Sequence, residues 1–124
     1  MGKASYTPIW ERLSDLAGVT RRIRGLHGAN LYITVNRDAS DQVREIFVNR
    51  GKADPCYQAW EEAVARLISL CLRANISLDN VVRQLRGITC HPVANGKDGF
   101  YLSEPDALAQ VLTTYSTLSG LKTE

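Results

Sequence analysis

Three arginines, Arg21, Arg22 and Arg24, stand within a four-residue stretch closed by Gly25, with Gly28 and Asn30 just beyond. Guanidinium forks suit phosphate oxygens, and glycine lets backbone amides approach an anion. A second stretch, Arg86-Gly87-Ile88-Thr89-Cys90-His91, offers a free helix end, a hydroxyl and an imidazole. Arg21, Arg22, Arg24, Gly25 and Asn30, together with Thr89, Cys90 and His91, are therefore the expected phosphate-bearing pocket. Asn95 and Lys97 are loop residues placed to reach ribose or phosphate, and Tyr57, Trp60 and Tyr101 are candidates for a base-stacking wall. The same arginines would also serve as a solvated strand face, the glycines as turns and Trp60 as a core side chain. No Walker-type or Rossmann glycine motif is present.

Catalytic chemistry has thinner support. The two histidines, His27 and His91, are not spaced to a nucleophilic serine or cysteine. Cys56 lies near an expected helix N-terminus, which can depress a thiol pKa, but the favoured reading of it is a structural thiol. Cys71 falls on an apolar helix stripe. Cys90 and His91 with Cys56 would make part of a zinc site, yet the chain has no C-x-x-C pair and no evident fourth ligand. No catalytic residue, no metal and no cofactor is expected.

Composition bounds the setting in which these residues act. A chain of 124 residues is long enough for one domain with a real core. Hydrophobic residues make up 44% and charged residues 23%, ordinary for a soluble protein, and the net charge of +2 is too small to imply non-specific binding to DNA or RNA. No apolar run is long enough to span a bilayer, and the N-terminus has no signal-peptide pattern, so no membrane partner and a cytoplasmic location are expected. Three cysteines, Cys56, Cys71 and Cys90, suit a reducing compartment.

The elements that must position these residues can be read in order. A short helix is expected over 7–18, with Trp10, Leu13 and Ala17 facing one way and Gly18 stopping it. An edge strand is expected over 19–25, and Leu26 to Asn30 form a tight connection. Residues 31–35 form a strand with Leu31, Ile33 and Val35 on one face. Residues 44–49 form the next, with Ile46 and Val48 on one face and Phe47 on the other. The longest element is the amphipathic helix from Asp54 to Arg73, with Asp54 as its cap and Pro55 at its first position. Trp60, Ala63, Val64, Leu67, Ile68, Cys71 and Leu72 form its apolar stripe, and Glu61, Glu62, Arg66, Ser69 and Arg73 lie opposite. Asn75 suits a left-handed cap. A second helix follows Ser77, carries Val81, Val82 and Leu85, and ends at Gly87. Residues 88–99 are irregular, and 100–102 add a short strand. Ser103 caps a last helix with Leu108, Val111, Leu112 and Tyr115 inward, ended by Gly120, with 119–124 as a mobile tail. The fold class is α+β: a small antiparallel β-sheet packed against a long amphipathic helix and two or three shorter helices, in a single domain over 1–124.

The runs LYITVNRD, REIFVNRGKAD and AVARLISLCLRANISLDNVVRQLRGITC resemble the TSCPD domain, best known at the C-terminus of cobalamin-dependent ribonucleotide reductases. The resemblance covers about residues 21–112. The motif that names the family falls at Leu102-Ser103-Glu104-Pro105-Asp106, where its threonine is Leu102 and its cysteine is Glu104. Loss of that cysteine argues against a metal or redox role. As a free-standing module with an added N-terminal helix, the chain also resembles the phage Thoeris anti-defence sponges. Those are small oligomeric proteins that bind cyclic ADP-ribose-type immune signals and release them unchanged. Some also hold cyclic oligonucleotides of CBASS defence at separate sites. This second resemblance implies a non-enzymatic homo-oligomer, a dimer that can gather into a hexamer, acting in the bacterial host cytosol on a cyclic nucleotide-type small molecule. The first resemblance implies an alternative, an accessory or regulatory module of ribonucleotide reductase. A third, enzymatic reading would use Cys56 or Cys90 with His91.

Overall fold

Alternation decides the sheet. In the strand Ala29–Arg37 (β2), Ala29, Leu31, Ile33 and Val35 are buried while Asn30, Tyr32 and Thr34 are half-buried, the period-two signature of a strand covered on one side. The computed structural model describes residues 10–26, 28–51, 55–90, 95–96 and 99–120. In it β2 is the centre of a three-stranded antiparallel sheet, flanked by Ala17–Leu26 (β1) and Val43–Arg50 (β3). The strand expected over 19–25 is thus real, at an edge and longer. A register shift between Ile23 and Leu26 bulges β1 just before the turn.

All the helices supply the core from one side of this sheet. Pro55–Arg73 (α1) lies along β3, and Leu78–Leu85 (α2) packs on Glu104–Gly120 (α3). Ile23, Leu31, Ile33, Val35 and Ile46 of the sheet join Ala65, Ile68 and Leu72 of α1, Val81 and Val82 of α2, and Leu108, Val111, Leu112 and Tyr115 of α3 in one hydrophobic cluster. A two-stranded ribbon, Asn95–Gly96 (β4) with Gly99–Phe100 (β5), lies against β1, so the strand expected over 100–102 starts and ends earlier. Asn75 adopts φ 65° as its cap role requires, and Ser77 and Ser103 accept from the amides of Asn80 (3.2 Å) and Asp106 (3.1 Å) as N-caps. The proposed cap Asp54 and the residues 121–124 of the expected tail lie outside the described residues, and α3 itself runs through Gly120. Among the described residues no helix is long and apolar enough to cross a membrane.

Two expectations are corrected. Residues 10–16 are not helical, and Ala17 and Gly18 begin β1; residues 7–9 lie outside the described residues. Gly18 is there for close approach rather than to stop a helix. A Cβ on it would stand 1.9 Å from Asn36 Oδ1 and 2.8 Å from the Val35 carbonyl. The preceding segment is held by polar contacts instead: Arg12 grips both oxygens of Glu45 (3.0 and 2.9 Å), and the Trp10 amide donates to the Arg73 carbonyl.

The second correction is a rotation of α1. Its buried residues are Glu61, Ala65, Ile68, Ser69 and Leu72, whereas Trp60 is 73% and Leu67 62% exposed. The cause is the free edge of β3, whose backbone groups need partners. Ser69 Oγ accepts from the Ile46 amide (3.0 Å) and donates to the Ile46 carbonyl (3.2 Å). Polar residues expected on the solvent face are therefore drawn inward, and two of the large apolar side chains turn out.

Candidate functional site

Directly opposed residues of neighbouring strands point to the same side of a sheet. The register pairs Arg22 with Tyr32, and Tyr32 with Asn49, so an arginine, a phenol ring and a carboxamide form one row across β1, β2 and β3. The next row is Thr20, Thr34 and Phe47, with the two threonine hydroxyls 2.8 Å apart. These residues alternate with Leu31, Ile33 and Val35, so they stand on the face away from the helices. Arg22 and Asn49 are exposed and Tyr32 is half-buried.

At the end of this face the β1–β2 connection and the end of β3 enclose a notch of about 260 Å³, lined by Gly25, Gly28, Ala29, Asn30, Tyr32 and Gly51. Gly25 and Gly28 have φ of 72° and 78°, left-handed values that glycine adopts without strain. Gly51 comes within 3.3 Å of the Asn30 carbonyl and 3.4 Å of the Tyr32 ring, measured from where its Cβ would be. Two of the amides here are already engaged, not open to an anion as the glycines suggested. Gly25 N–H donates to Asn30 Oδ1 (3.1 Å), and Gly51 N–H to the Asn30 carbonyl (2.7 Å). An anion at this face would be held by arginine.

The expected phosphate pocket is brought together only in part. Gly25 and Asn30 share the notch, and Arg22 flanks it through its neighbour Tyr32. Arg21 does not join them: it pairs with Ile33 and so points to the opposite side, because alternation separates adjacent strand residues. Arg24 is exposed in the bulged end of β1. Thr89 Oγ1 donates to the Gly87 carbonyl (3.3 Å) and the Cys90 amide to the Leu102 carbonyl (3.0 Å). Asn95 belongs to β4, beside β1, whereas His91 and Lys97 lie outside the described residues. Of the proposed stacking wall, Tyr101 is 8% exposed and part of the core, tucked beneath Gly99, so it offers no free face. Trp60 is not core, and Tyr57 is half exposed with its ring 4.8 Å below the Arg50 guanidinium.

Tyr57 leads to a second constellation. Arg50 is buried, with Nε 3.0 Å and Nη2 2.9 Å from Glu61 Oε2, and its Nη2 also pairs with Glu104 Oε2. Burial, with Glu104 beside it, outweighs the pull of Arg50 and pushes the Glu61 carboxyl up to about 7. Arg50 is held further into its charged form: burial lowers its pKa, but the charges of Glu104 and Glu61 outweigh that. The cluster edges a cavity of about 90 Å³ lined by Leu31, Val48, Trp60, Val64, Pro105 and Leu108.

Sequence reasoning missed Tyr32, Asn49, Arg50 and Glu61. A signal existed for two of them. Tyr32 alternates with Leu31 and Ile33 on the polar side of a strong strand. Arg50 falls in phase with Ile46 and Val48 on the apolar side of β3, where a charge demands a buried partner.

The stretch Leu102-Ser103-Glu104-Pro105-Asp106 divides by role. Ser103 caps α3 and donates to the Ile88 carbonyl (2.6 Å). The Asp106 carboxylate accepts from the amides of Gly87 (2.9 Å) and Leu102 (3.1 Å) and from Gln110 (3.0 Å). Burial raises the pKa of Asp106, but these bonds outweigh it and hold the carboxyl below its usual range. Serine and aspartate therefore build the joint between α2 and α3, and Glu104 alone joins the Arg50 cluster. Among the described residues no three His, Cys, Asp or Glu side chains are grouped to hold a metal ion, and Cys56 and Cys71 are free thiols. A family model, described as the TSCPD domain, matches residues 5–116. No curated protein and no solved structure matches the chain.

Proposed function

The chain belongs to the TSCPD domain family, and from that premise we propose that it is a non-enzymatic binding protein. It sequesters a nucleotide-derived immune signal, a cyclic ADP-ribose isomer or a cyclic oligonucleotide, in the manner of a phage anti-defence sponge. The observation that carries this reading is the row Arg22, Tyr32 and Asn49 beside the glycine notch. Two strand spacings give the row a span of roughly 10 Å, enough for an arginine on a phosphate, a ring under a base and an amide at a ribose hydroxyl. Stacking on an aromatic ring contributes about 1–3 kcal/mol per base. A guanidinium and a carboxamide donate hydrogen bonds without exchanging a proton, so the row grips a ligand and leaves its bonds intact.

A homo-oligomer fits the same picture. Phe47, Tyr57, Trp60 and Leu67 leave large apolar surface exposed, which a second copy would cover. The test is calorimetric titration against cyclic ADP-ribose isomers, cyclic di- and trinucleotides and dATP, followed by heating and mass measurement of the released ligand. Tight binding with unchanged mass is the expected result. A changed mass would make the protein an enzyme. No binding across the series would overturn the proposal and favour docking on a ribonucleotide reductase.

A further inference from the structure

The open sheet face carries a second ring that the row Arg22, Tyr32 and Asn49 does not use. Phe47 opposes Thr34 and Tyr32 opposes Asn49, so the two rings stand diagonally across β2 and β3. Diagonal neighbours on one face of an antiparallel pair are about 7–8 Å apart. That is roughly twice the 3.4 Å rise between successive bases of a duplex strand. Two joined bases therefore reach both rings only when they part and each lies on its own ring, as in sheet-faced binders of single strands. Phe47 is 49% exposed and Tyr32 half-buried. Polar groups flank each ring. Arg22 lies beside Tyr32. In the row of Phe47, Thr20 and Thr34 bond each other at 2.8 Å, which uses one of their two hydroxyl hydrogens and leaves the other to donate. A third row does not extend the face. Gly18, Asn36 and Glu45 come next in register, and the Glu45 carboxylate is already occupied. Arg12 holds both its oxygens, and Asn36 Nδ2 donates to Oε2 at 2.7 Å. Glu45 is thereby buried, so the segment carrying Arg12 closes the face on this side and the glycine notch bounds it on the other.

We propose that the sheet face has two base subsites, Tyr32 and Phe47, and takes a ligand of two bases joined through phosphate, with Phe47 selecting two bases over one. Two subsites presuppose that this face binds nucleotides, the reading proposed for it, and assign it the dinucleotide class. The sugar–phosphate chain runs along β1, where Arg22 supplies the positive charge and the Thr20–Thr34 pair the spare donor. Every base has a π-face, so stacking is tolerant of sequence. The two rings therefore set the number of bases rather than their identity, and the occupied third row sets the upper limit.

The test is calorimetric titration of the full chain with probes of rising base number. AMP and cyclic ADP-ribose carry one base, pApA and cyclic diadenylate two, and pApApA three. A second stacked base is expected to tighten binding about tenfold or more, in the linear or the cyclic dinucleotide, and the tighter of the two names the form of the ligand. The third base is expected to add nothing. Phe47→Ala should return the dinucleotide to the affinity of AMP and leave AMP unchanged, which separates the second ring from the charge of the second phosphate. Phe47→Tyr should keep the gain. A dinucleotide no tighter than the one-base probes, a gain that survives Phe47→Ala, or a further tenfold gain with pApApA would overturn the two subsites while leaving the face a nucleotide site. No binding of any probe, cyclic ADP-ribose included, would overturn the subsites and the nucleotide reading together. Phe47 also belongs to the apolar surface that a second copy would cover, so light scattering accompanies each variant. Where Phe47→Ala changes the assembly, the order of affinities among the probes for the unmodified protein decides alone.

Discussion

Glu61 sits between burial and Glu104, which favour its protonated form, and Arg50, which favours the charged one. Its carboxyl is raised from 4.5 to about 7, so between those values the folded state holds a proton that the unfolded chain has released. Stability therefore falls as pH rises from about 4.5 to about 7 and is level above that. Groups held low act in the opposite sense. Burial raises the pKa of Glu45, but its bonds from Arg12 and Asn36 outweigh this and lower it, and Asp106 is lowered as well. Their contribution is lost as pH falls through the carboxylate range. Urea midpoints measured across pH should show both limbs, and Glu61→Gln should flatten the upper one while sparing the lower. A midpoint unchanged between pH 4.5 and 7 in the unmodified protein would place Glu61 in an ordinary solvated setting. Trp60 makes a second residue-scale case. At 73% exposure its removal as Trp60→Ala should change stability by no more than about 0.5 kcal/mol. A loss of about 3–5 kcal/mol would show that the ring is core after all.

At the scale of elements, α1 is a helix whose partner is a strand edge. A helix on a sheet face would bury its most apolar stripe, but β3 presents amides and carbonyls as well as side chains, and Ser69 answers them. Ser69→Ala leaves the buried Ile46 amide and carbonyl without this partner and should cost about 1–3 kcal/mol. Urea denaturation checks the magnitude, and faster amide exchange at Ile46 checks the cause. Equal stability with unchanged exchange would mean that water replaces the hydroxyl. The strands were legible because a strict period of two survives burial on one face: Ile46 inward, Val48 half-buried against the core and Phe47 49% exposed stand as their spacing requires. The rotation of α1 was not, since Trp60 and Leu67 fit a 3.6-residue stripe that the edge of β3 overrides.

On the scale of the molecule, the helices cover one face of the sheet and leave the row Arg22, Tyr32 and Asn49 on the other. Removing its cation isolates its role. Arg22→Ala should weaken nucleotide binding by the equivalent of about 1.5–3 kcal/mol with no loss of fold, as read by calorimetry beside a urea curve. The exposed neighbour Arg21, on the opposite side, is the control and should matter far less. Equal losses from the two would mean diffuse electrostatics rather than a site.

Local rules determined much of this protein before any coordinate was known. The β2 and β3 cores, the spans of α1, α2 and α3, the cap at Ser103, the left-handed Asn75 and the inward stripe of α3 each follow from residues within one turn or strand of one another. The basic run, the glycines and Asn30 were likewise visible as candidates for anion binding, a role that remains a proposal. What only the tertiary structure decided depends on contacts between distant segments. Strand register set Tyr32 and Asn49 beside Arg22 and turned Arg21 away. The packing of α1 on the edge of β3 brought Glu61 to Arg50, and the start of α3 added Glu104 from 54 residues along the chain. No local propensity encodes such a meeting, because its energy exists only once the charges are buried together.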